Sequence, residues 1–549
     1  MPEGTTFYLA QLNPIVGDIR GNIKKIADAY DCAAKEGVDL VITSELVVSG
    51  YPPEDLVARP EFLDMVEAHI QELAVRTGKT GLLLGTPWRQ SGKLYNAALL
   101  LSEGEIKATT LKQHLPNYGV FDEQRLFAAA GPQPPMAFRG KSLGVMICED
   151  IWVPGTAKTL ADQGADILIV MNGSPYSQKN LQDRHQTVAD QAKEADRTII
   201  YVNQIGGQDE LVFDGRSFVM TAQGQKALCL KAWAEDACTY LWRENHLPKA
   251  AAEQVYDLNE DTYNAVVLGL RDYVEKNHFP GVVIGLSGGI DSALSAILAC
   301  DALGADRVFC VFMPSRYTSK QSVTDAEQLA LNLGCQFEII PIDETVEQLN
   351  KSLAPVFQGT TPDVTEENIQ SRLRGLTLMA ISNKFGHMVL TTGNKSEMAT
   401  GYATLYGDMC GGFNALKDLY KVEVFKLSKW RNANVPDISV FAKKDLMPDS
   451  IITKPPSAEL RPDQKDEDSL PAYDVLDDIL ARLIEREQHL ETIVQETGYD
   501  IDLVKKVWKM LVSAEHKRYQ APPGVKVTAR AFGKDRRYPL TNAYLKNIA

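Results

Sequence analysis

The sequence predicts an α/β protein of two domains, the second organised on a doubly wound parallel sheet. Three observations carry that expectation. Short apolar, β-branched runs alternate with longer amphipathic stretches along the 549 residues, the pattern of helices layered on sheets. A polar stretch, ENHLPKAAAEQVYDLNE, interrupts the alternation near residue 250. A chain of this length also exceeds the size at which one hydrophobic core stops growing, so it should divide there.

The first series runs from Phe7 to about Trp242: TFYLAQL, the amphipathic NIKKIADAYDCAAKEG, VDLVITSEL, then GLLLGTP, SLGVMICED, ADILIVMN and RTIIYVNQI. It defines a domain over 1–245, followed by a linker at 246–258 and a second domain over 259–549. The second domain opens on the helical pattern of TYNAVVLGLRDYVEKNH and continues with GVVIGLSGGIDS, RVFCVFMP, CQFEIIPID and HMVLTTGN, separated by helical segments. Apolar strands bounded by helices suggest a parallel sheet, whose ligands sit at the carboxyl ends of its strands. Two later stretches break the pattern. PPSAELRPDQKDEDSLP, Pro455 to Pro471, is expected to be irregular or mobile and is a candidate lid by composition. The basic stretch HKRYQAPPGVKVTARAFGKDRR is expected to be mostly solvated surface.

Composition removes several function classes. Hydrophobic residues make up 44% and charged residues 23%, and no apolar run approaches the roughly 20 residues of a membrane helix. The start, MPEGTTFYLAQLNP, has neither the basic nor the long apolar region of a secretory signal, which gives a cytoplasmic expectation. Lys plus Arg number 57 against 72 Asp plus Glu, a net charge of −15, so nucleic acid is not an expected partner. The eight cysteines are scattered without zinc-ligand spacing; apart from Cys148 they are expected to be core or surface thiols.

In GVVIGLSGGIDSALSAILAC an apolar strand runs into Ser287-Gly288-Gly289-Ile290-Asp291-Ser292 and directly into a helix. Glycines let the backbone turn tightly and offer its N–H groups to a phosphate, and the helix start adds a favourable dipole. This is not a Walker A loop, because no Gly-Lys-Ser/Thr follows. Asp291 instead places a carboxylate where a metal could bridge phosphates. The motif resembles the pyrophosphate loop of the N-type ATP pyrophosphatases. ENIQSRLRG, TTGNKSEMATGYATLYGD, LKDLYKVEV, KPPSAEL and EHKR look like the successive further motifs of NAD synthetase, so the resemblance covers nearly the whole second half. It implies that Gly285, Leu286, Ser287, Gly288, Gly289, Ile290, Asp291 and Ser292 hold ATP phosphates, with Thr392 and Lys421 also contacting ATP. It implies Arg372, Glu397, His516 and Lys517 for deamido-NAD, and Asp291 and Glu397 for Mg²⁺. Where ammonia-only members carry a lysine and an aspartate, this chain has Leu405 and, nearby, Gly412.

GKSLGVMICEDIWVP puts Cys148 at the end of an apolar strand, where a thiol can be exposed and rigidly held. Glu45 ends the strand in VDLVITSELVVSGYPP, and Lys112 lies in ATTLKQHLPNYGVFDEQRLF. A carboxylate can take the thiol proton, and an ammonium can stabilise both thiolate and oxyanion. A lone strand cysteine is ordinarily core; the three residue types together, ahead of a synthetase that needs nitrogen, point to chemistry. Glu45, Lys112 and Cys148 resemble the catalytic triad of the nitrilase superfamily, which implies an N-terminal αββα sandwich acting as a glutaminase. Glu123 matches an additional glutamate of that family. Tyr118 and Ser174 fall where glutaminase members bind glutamine. The family's basic residue about six places after the SP motif has its nearest counterpart in Lys179, one place early, with Asn180 in the slot.

The combined expectation is an ATP pyrophosphatase that takes ammonia from glutamine and amidates deamido-NAD, consuming ATP with Mg²⁺, as a homo-oligomer without membrane or nucleic-acid partners. Two alternatives stand beside it: a glutamine-fed ATP pyrophosphatase acting on another carboxylate or nucleotide, and a non-catalytic dinucleotide or glutamine sensor.

Overall fold

The computed structural model describes residues 4–244, 251, 254–462 and 464–544. The chain forms two compact units, Met1–Tyr256 and Asp257–Ala549. Of the expected linker, residues 246–250, 252 and 253 lie outside the described residues. Its last position already belongs to the helix Leu258–Lys276, which starts there because the Asp257 carboxylate accepts from the N–H groups of Asn259 and Glu260.

The first unit contains two six-stranded sheets. In one the order is Asp236–Trp242, Thr5–Gln11, Leu40–Ile42, Gly81–Gln90, Lys93–Ser102, Glu105–Leu111; in the other it is Lys226–Cys229, Phe218–Met220, Ile199–Asn203, Ile167–Asn172, Lys141–Ile147, Met136–Phe138. Side-chain alternation explains the layering. Phe7 and Leu9 meet Val145, Ile147, Ile167 and Ile169 between the sheets. The intervening Tyr8 and Ala10 pack with Ile26 and Ile70 of the helices Ile19–Lys35 and Pro60–Arg76. On the far side, Leu168 and Val170 pack with Leu160 and Val188 of the helices Thr156–Asp162 and Asn180–Ala195. The result is an αββα sandwich. With both faces covered, the strands read as continuous apolar runs, and each fully buried Leu, Ile or Val adds about 1.5–3 kcal/mol before chain entropy is counted.

The second unit carries five strands, all parallel, in the order Gln336–Ile339, Val308–Phe312, Val282–Gly285, Met388–Thr391, Phe413–Asn414. The chain winds first to one side of Val282–Gly285 and then to the other, so the direction reverses between that strand and Met388–Thr391. The loops leaving these two strands diverge, and such a switch point opens a crevice for a ligand. A helical cluster of Lys395–Thr400, Tyr473–Ile484 and Ile501–Ser513 packs through Met398, Leu476, Leu480 and Val507.

Three expectations change. The strand holding VDLVITSEL ends at Ile42, not Glu45. The chain leaves the sheet to cross Gly85, where a Cβ would lie 2.3 Å from the Ser44 carbonyl oxygen. The described residues of Pro455 to Pro471, which leave out Asp463, are held down rather than loose: Glu459 accepts from Ser319 Oγ at 2.9 Å, Ser322 Oγ at 2.8 Å and Lys454 Nζ at 2.6 Å. The basic C-terminal stretch is not mainly solvated, because Arg518, Lys526 and Arg536 are buried. Arg518 and Arg536 pair with Glu515, and Lys526 with Asp535. All eight cysteines are free, and among the described residues no helix is long and apolar enough to cross a membrane.

Candidate active sites

Cys148 follows the strand Lys141–Ile147 as the first residue of a short helical turn. Its φ is +48°, a left-handed conformation that costs a non-glycine residue about 1–2 kcal/mol. Asp150 holds the turn in place: its carboxylate accepts from Ile147 N at 3.0 Å and from Gln113 N and His114 N at 3.2 and 2.9 Å. The nucleophile's turn is thereby tied to the segment that follows Lys112. The thiol is only 3% exposed, a correction to the exposed cysteine expected at a strand end. It sits at the edge of the core between the sheets.

Glu45 and Lys112 are fully buried. Lys112 Nζ donates to Glu45 Oε1 at 2.7 Å and to Glu123 Oε2 at 2.8 Å. Glu45 also accepts from Asn96 Nδ2 at 2.7 Å and Gly173 N at 2.9 Å, and Glu123 from the Tyr51 hydroxyl at 3.0 Å. Burial opposes the Lys112 charge, but Glu123 and Glu45 overcome it and hold the ammonium well above its ordinary pKa. Burial pushes Glu123 up to about 7, with Glu45 adding and Lys112 opposing. Burial, then the charge of Glu45, raises the Cys148 thiol well above the ordinary cysteine range despite Lys112. The resting group is therefore a thiol and needs a base at the moment of attack.

Tyr118 is exposed and its hydroxyl donates to Glu149 Oε2 at 3.0 Å. Ser174 is buried, with its N–H on Asn203 Oδ1 at 3.0 Å. Lys179 is exposed at the start of its helix. The buried cation beside Ser174 is Arg184, which donates to the Ser174 carbonyl at 3.4 Å and pairs with Asp214 at 3.0 Å. Arg184, Asp214 and Asn96 carry no signal in the sequence, because the contacts of Arg184 with Ser174 and Asp214, and of Asn96 with Glu45, span 10 to 51 residues. Asp150, although it follows Cys148 closely, gives no sign there of its contacts with Gln113 and His114.

In the second unit a cavity of about 280 Å³ is lined by Gly285, Leu286, Ser287, Gly289, Ile290, Asp291, Ser292, Thr392, Glu397 and Lys421, among others. Gly288 makes the loop possible: its φ is +77° and a Cβ there would lie 2.5 Å from the Ser322 carbonyl oxygen. Ser292 Oγ accepts from Ser287 N at 3.1 Å and donates to the Gly289 carbonyl at 3.0 Å, closing the loop on its helix. Lys421 donates to Asp291 and, at 3.4 Å, to Glu397. Asn394, missed in the sequence, caps the helix of Glu397 and donates to Asp291 at 2.9 Å. Burial, with Asp291 adding and Lys421 opposing, raises the Glu397 carboxyl to about 8. The two carboxylates share one ammonium and are only partly exposed, 18% each.

The remaining candidates do not line this cavity. Arg372 is exposed and donates to the Leu405 carbonyl at 3.2 Å. His516 is exposed, and Lys517 donates to the carbonyls of Gly401 and Ala403 at 2.7 and 2.6 Å. Lys517 thus braces a loop whose Tyr402 and Ala403 do reach the cavity.

Comparison with known proteins adds to this geometry. The family described as "Carbon-nitrogen hydrolase" matches residues 9–241, and that described as "NAD synthase" matches 262–521. The chain is 46% identical to the glutamine-dependent NAD(+) synthetase of Rhodobacter capsulatus over 99% of both chains. It is 40% identical to the glutamine-dependent NAD+ synthetase from Acinetobacter baumannii solved with adenosine diphosphate, with a TM-score of 0.78 over 98% of both chains. A glutamine-dependent NAD(+) synthetase from Cytophaga hutchinsonii, 22% identical, shares the fold with a TM-score of 0.84 over 99% of both chains.

Proposed function

The chain belongs to the glutamine-dependent NAD(+) synthetase family, and from that premise we propose how its residues divide the work between the two units. The protein amidates deamido-NAD to NAD with ATP, taking nitrogen from glutamine. One observation carries the division: each unit holds a constellation of its own, a buried thiol, carboxylate and ammonium in the first and a glycine-rich anion cradle with two carboxylates and a lysine in the second.

Glu45 takes the thiol proton of Cys148 as the sulfur attacks the side-chain carbonyl carbon of glutamine. Lys112, kept charged by Glu123, and backbone N–H groups stabilise the oxyanion. The proton passes to the departing nitrogen, the C–N bond breaks, and ammonia leaves a thioester. Glu45 then deprotonates water, whose attack releases glutamate and restores the thiol. Tyr118, Ser174 and Lys179 bind glutamine.

In the second unit a carboxylate oxygen of deamido-NAD attacks the α-phosphorus of ATP and the bond to pyrophosphate breaks. Ammonia then displaces AMP from the acyl adenylate and loses a proton. The loop from Gly285 to Ser292 holds the phosphates, Thr392 and Lys421 contact ATP, and Arg372, Glu397, His516 and Lys517 contact deamido-NAD. Asp291 and Glu397 fit a Mg²⁺ ion: both offer hard oxygen donors, and a cation would offset the burial, and the smaller repulsion from Asp291, that raise the Glu397 carboxyl. Among the described residues no larger cage surrounds them, which suits a metal shared with substrate phosphates. Bound Mg²⁺ would neutralise charge gathering on the departing pyrophosphate. The absence of a membrane-crossing helix among the described residues is compatible with a cytoplasmic enzyme. The homo-oligomer is proposed from the family resemblance alone.

The test is a substrate panel measuring pyrophosphate release with ATP, glutamine and either deamido-NAD or other carboxylate acceptors. The expected outcome is release coupled to NAD formation with deamido-NAD alone; release with another acceptor and no NAD would reject the assignment.

A further inference from the structure

The helix Val364–Phe385 turns Ser371, Arg374, Gly375 and Leu378 toward the cavity, the three- and four-residue spacing of one helical face. Two close approaches fix this face. A Cβ on Gly375 would lie 3.0 Å from the carbonyl oxygens of Tyr406 and Gly407, and one on Gly285 would lie 3.2 Å from Leu378 Cδ1. The helix cannot roll without breaking these contacts, so the Arg374 side chain is committed to the cavity.

Arg374 Nε donates to the Met313 carbonyl at 3.1 Å. Among the described residues its two terminal nitrogens have no protein acceptor and the guanidinium forms no ion pair. Asp343, Asp408 and Glu459 act on it only at longer range. Burial, the largest influence, lowers its pKa to about 10, so it remains charged at neutral pH. The two cavity lysines differ: Lys421 is paired with Asp291 and Glu397, and Lys454 with Glu459. Asp408 is occupied as well, accepting from Thr404 N at 2.8 Å and from Ser371 Oγ at 3.4 Å.

A sheltered cation without an anion is costly unless a ligand supplies one. A guanidinium anchored by Nε presents its remaining nitrogens as a planar fork that fits two oxygens of a phosphate. We infer that Arg374 binds a phosphate of the nucleotide substrates through its two terminal nitrogens, as a free fork where Lys421 is an ammonium already shared by Asp291 and Glu397. The inference rests on reading the cavity as the ATP site. The phosphate belongs to ATP or to the dinucleotide, which share this chemistry. Arg372 does not line this cavity: it is exposed and donates to the Leu405 carbonyl.

The experiment uses the full chain with ammonium as nitrogen donor and measures KM for ATP, KM for deamido-NAD, kcat and melting temperature for Arg374→Gln and Arg374→Lys. Loss of two charged hydrogen bonds predicts a fall of about 100-fold in kcat/KM for Arg374→Gln, with partial recovery in Arg374→Lys. A rise confined to KM for ATP assigns the phosphate to ATP, and one confined to KM for deamido-NAD assigns it to the dinucleotide. If Arg374→Gln does not fold, Arg374→Lys decides by the same constants, because it keeps the charge and loses the fork. Values within about threefold of wild type for both substrates overturn the inference. Asp291→Asn, run in parallel, separates the two readings: if it loses synthesis while the arginine variants do not, only the arginine assignment falls, and if it too is silent, the ATP-site reading falls with it.

Discussion

The thiol cluster of the first unit and the cavity of the second meet opposite electrostatic demands. In the first, Lys112 bridges Glu45 and Glu123 with all three groups nearly sealed from water, so the protein itself supplies both signs of charge. In the second, Lys421 bridges Asp291 and Glu397 beside about 280 Å³ of free volume, and a nearby guanidinium has no anion. Attack on a small neutral amide requires a complete, fixed array before the substrate arrives. A site for ATP and a dinucleotide receives its remaining charges from the ligands, so part of its electrostatics is left open.

The contrast breaks most visibly at Lys112. Lys112→Met leaves two buried carboxylates facing each other, which should cost about 3–5 kcal/mol of stability and abolish glutamine hydrolysis. Thermal unfolding of the full chain and glutamate release measure both effects, and an unchanged melting profile would mean that the cluster is not preassembled. A smaller effect tests the open site. The Glu397 carboxyl, raised by burial from 4.5 to about 8, keeps a proton in the folded state that the unfolded chain gives up near 4.5. Its stabilising contribution is therefore present below about pH 4.5 and lost as pH rises through about 8. Glu397→Gln should flatten the decline in melting temperature across that window in ligand-free protein, while the part due to Glu123, whose carboxyl titrates at about 7, remains. The smallest effect belongs to the rim: Lys179→Ala, at an exposed position, should raise KM for glutamine about two- to threefold with kcat unchanged, as measured by steady-state glutamate release.

The same contrast governs what the sequence disclosed. Strand runs and the SGGIDS loop were legible because their signals are local: a continuous apolar segment, then glycines, then a helix. The positions of Cys148, Glu45 and Lys112 in the chain were likewise legible. Their burial was not, because it depends on packing one sheet against the other. Asp150 reads as an ordinary acid, yet it ties the nucleophile's turn to residues 36 and 37 positions away. Glu459 meets Ser319 across 140 residues, so composition alone suggested a loose Pro455 to Pro471 segment where hydrogen bonds hold one in place. Arg518 pairs locally with Glu515 inside EHKR, but nothing in GKDRR indicates that Arg536 reaches back 21 residues to the same carboxylate and is buried. Arg374 sits two places from the more conspicuous Arg372, and only the helix phase separates the residue facing the cavity from the one facing solvent.

The division of labour stands or falls on one comparison: NAD formation by Cys148→Ala supplied with glutamine and, separately, with ammonium. The account predicts no NAD from glutamine and a rate with ammonium close to that of the unaltered protein, because the cavity of the second unit contains none of the thiol cluster. Loss of NAD with both nitrogen sources, or continued formation from glutamine, would contradict it.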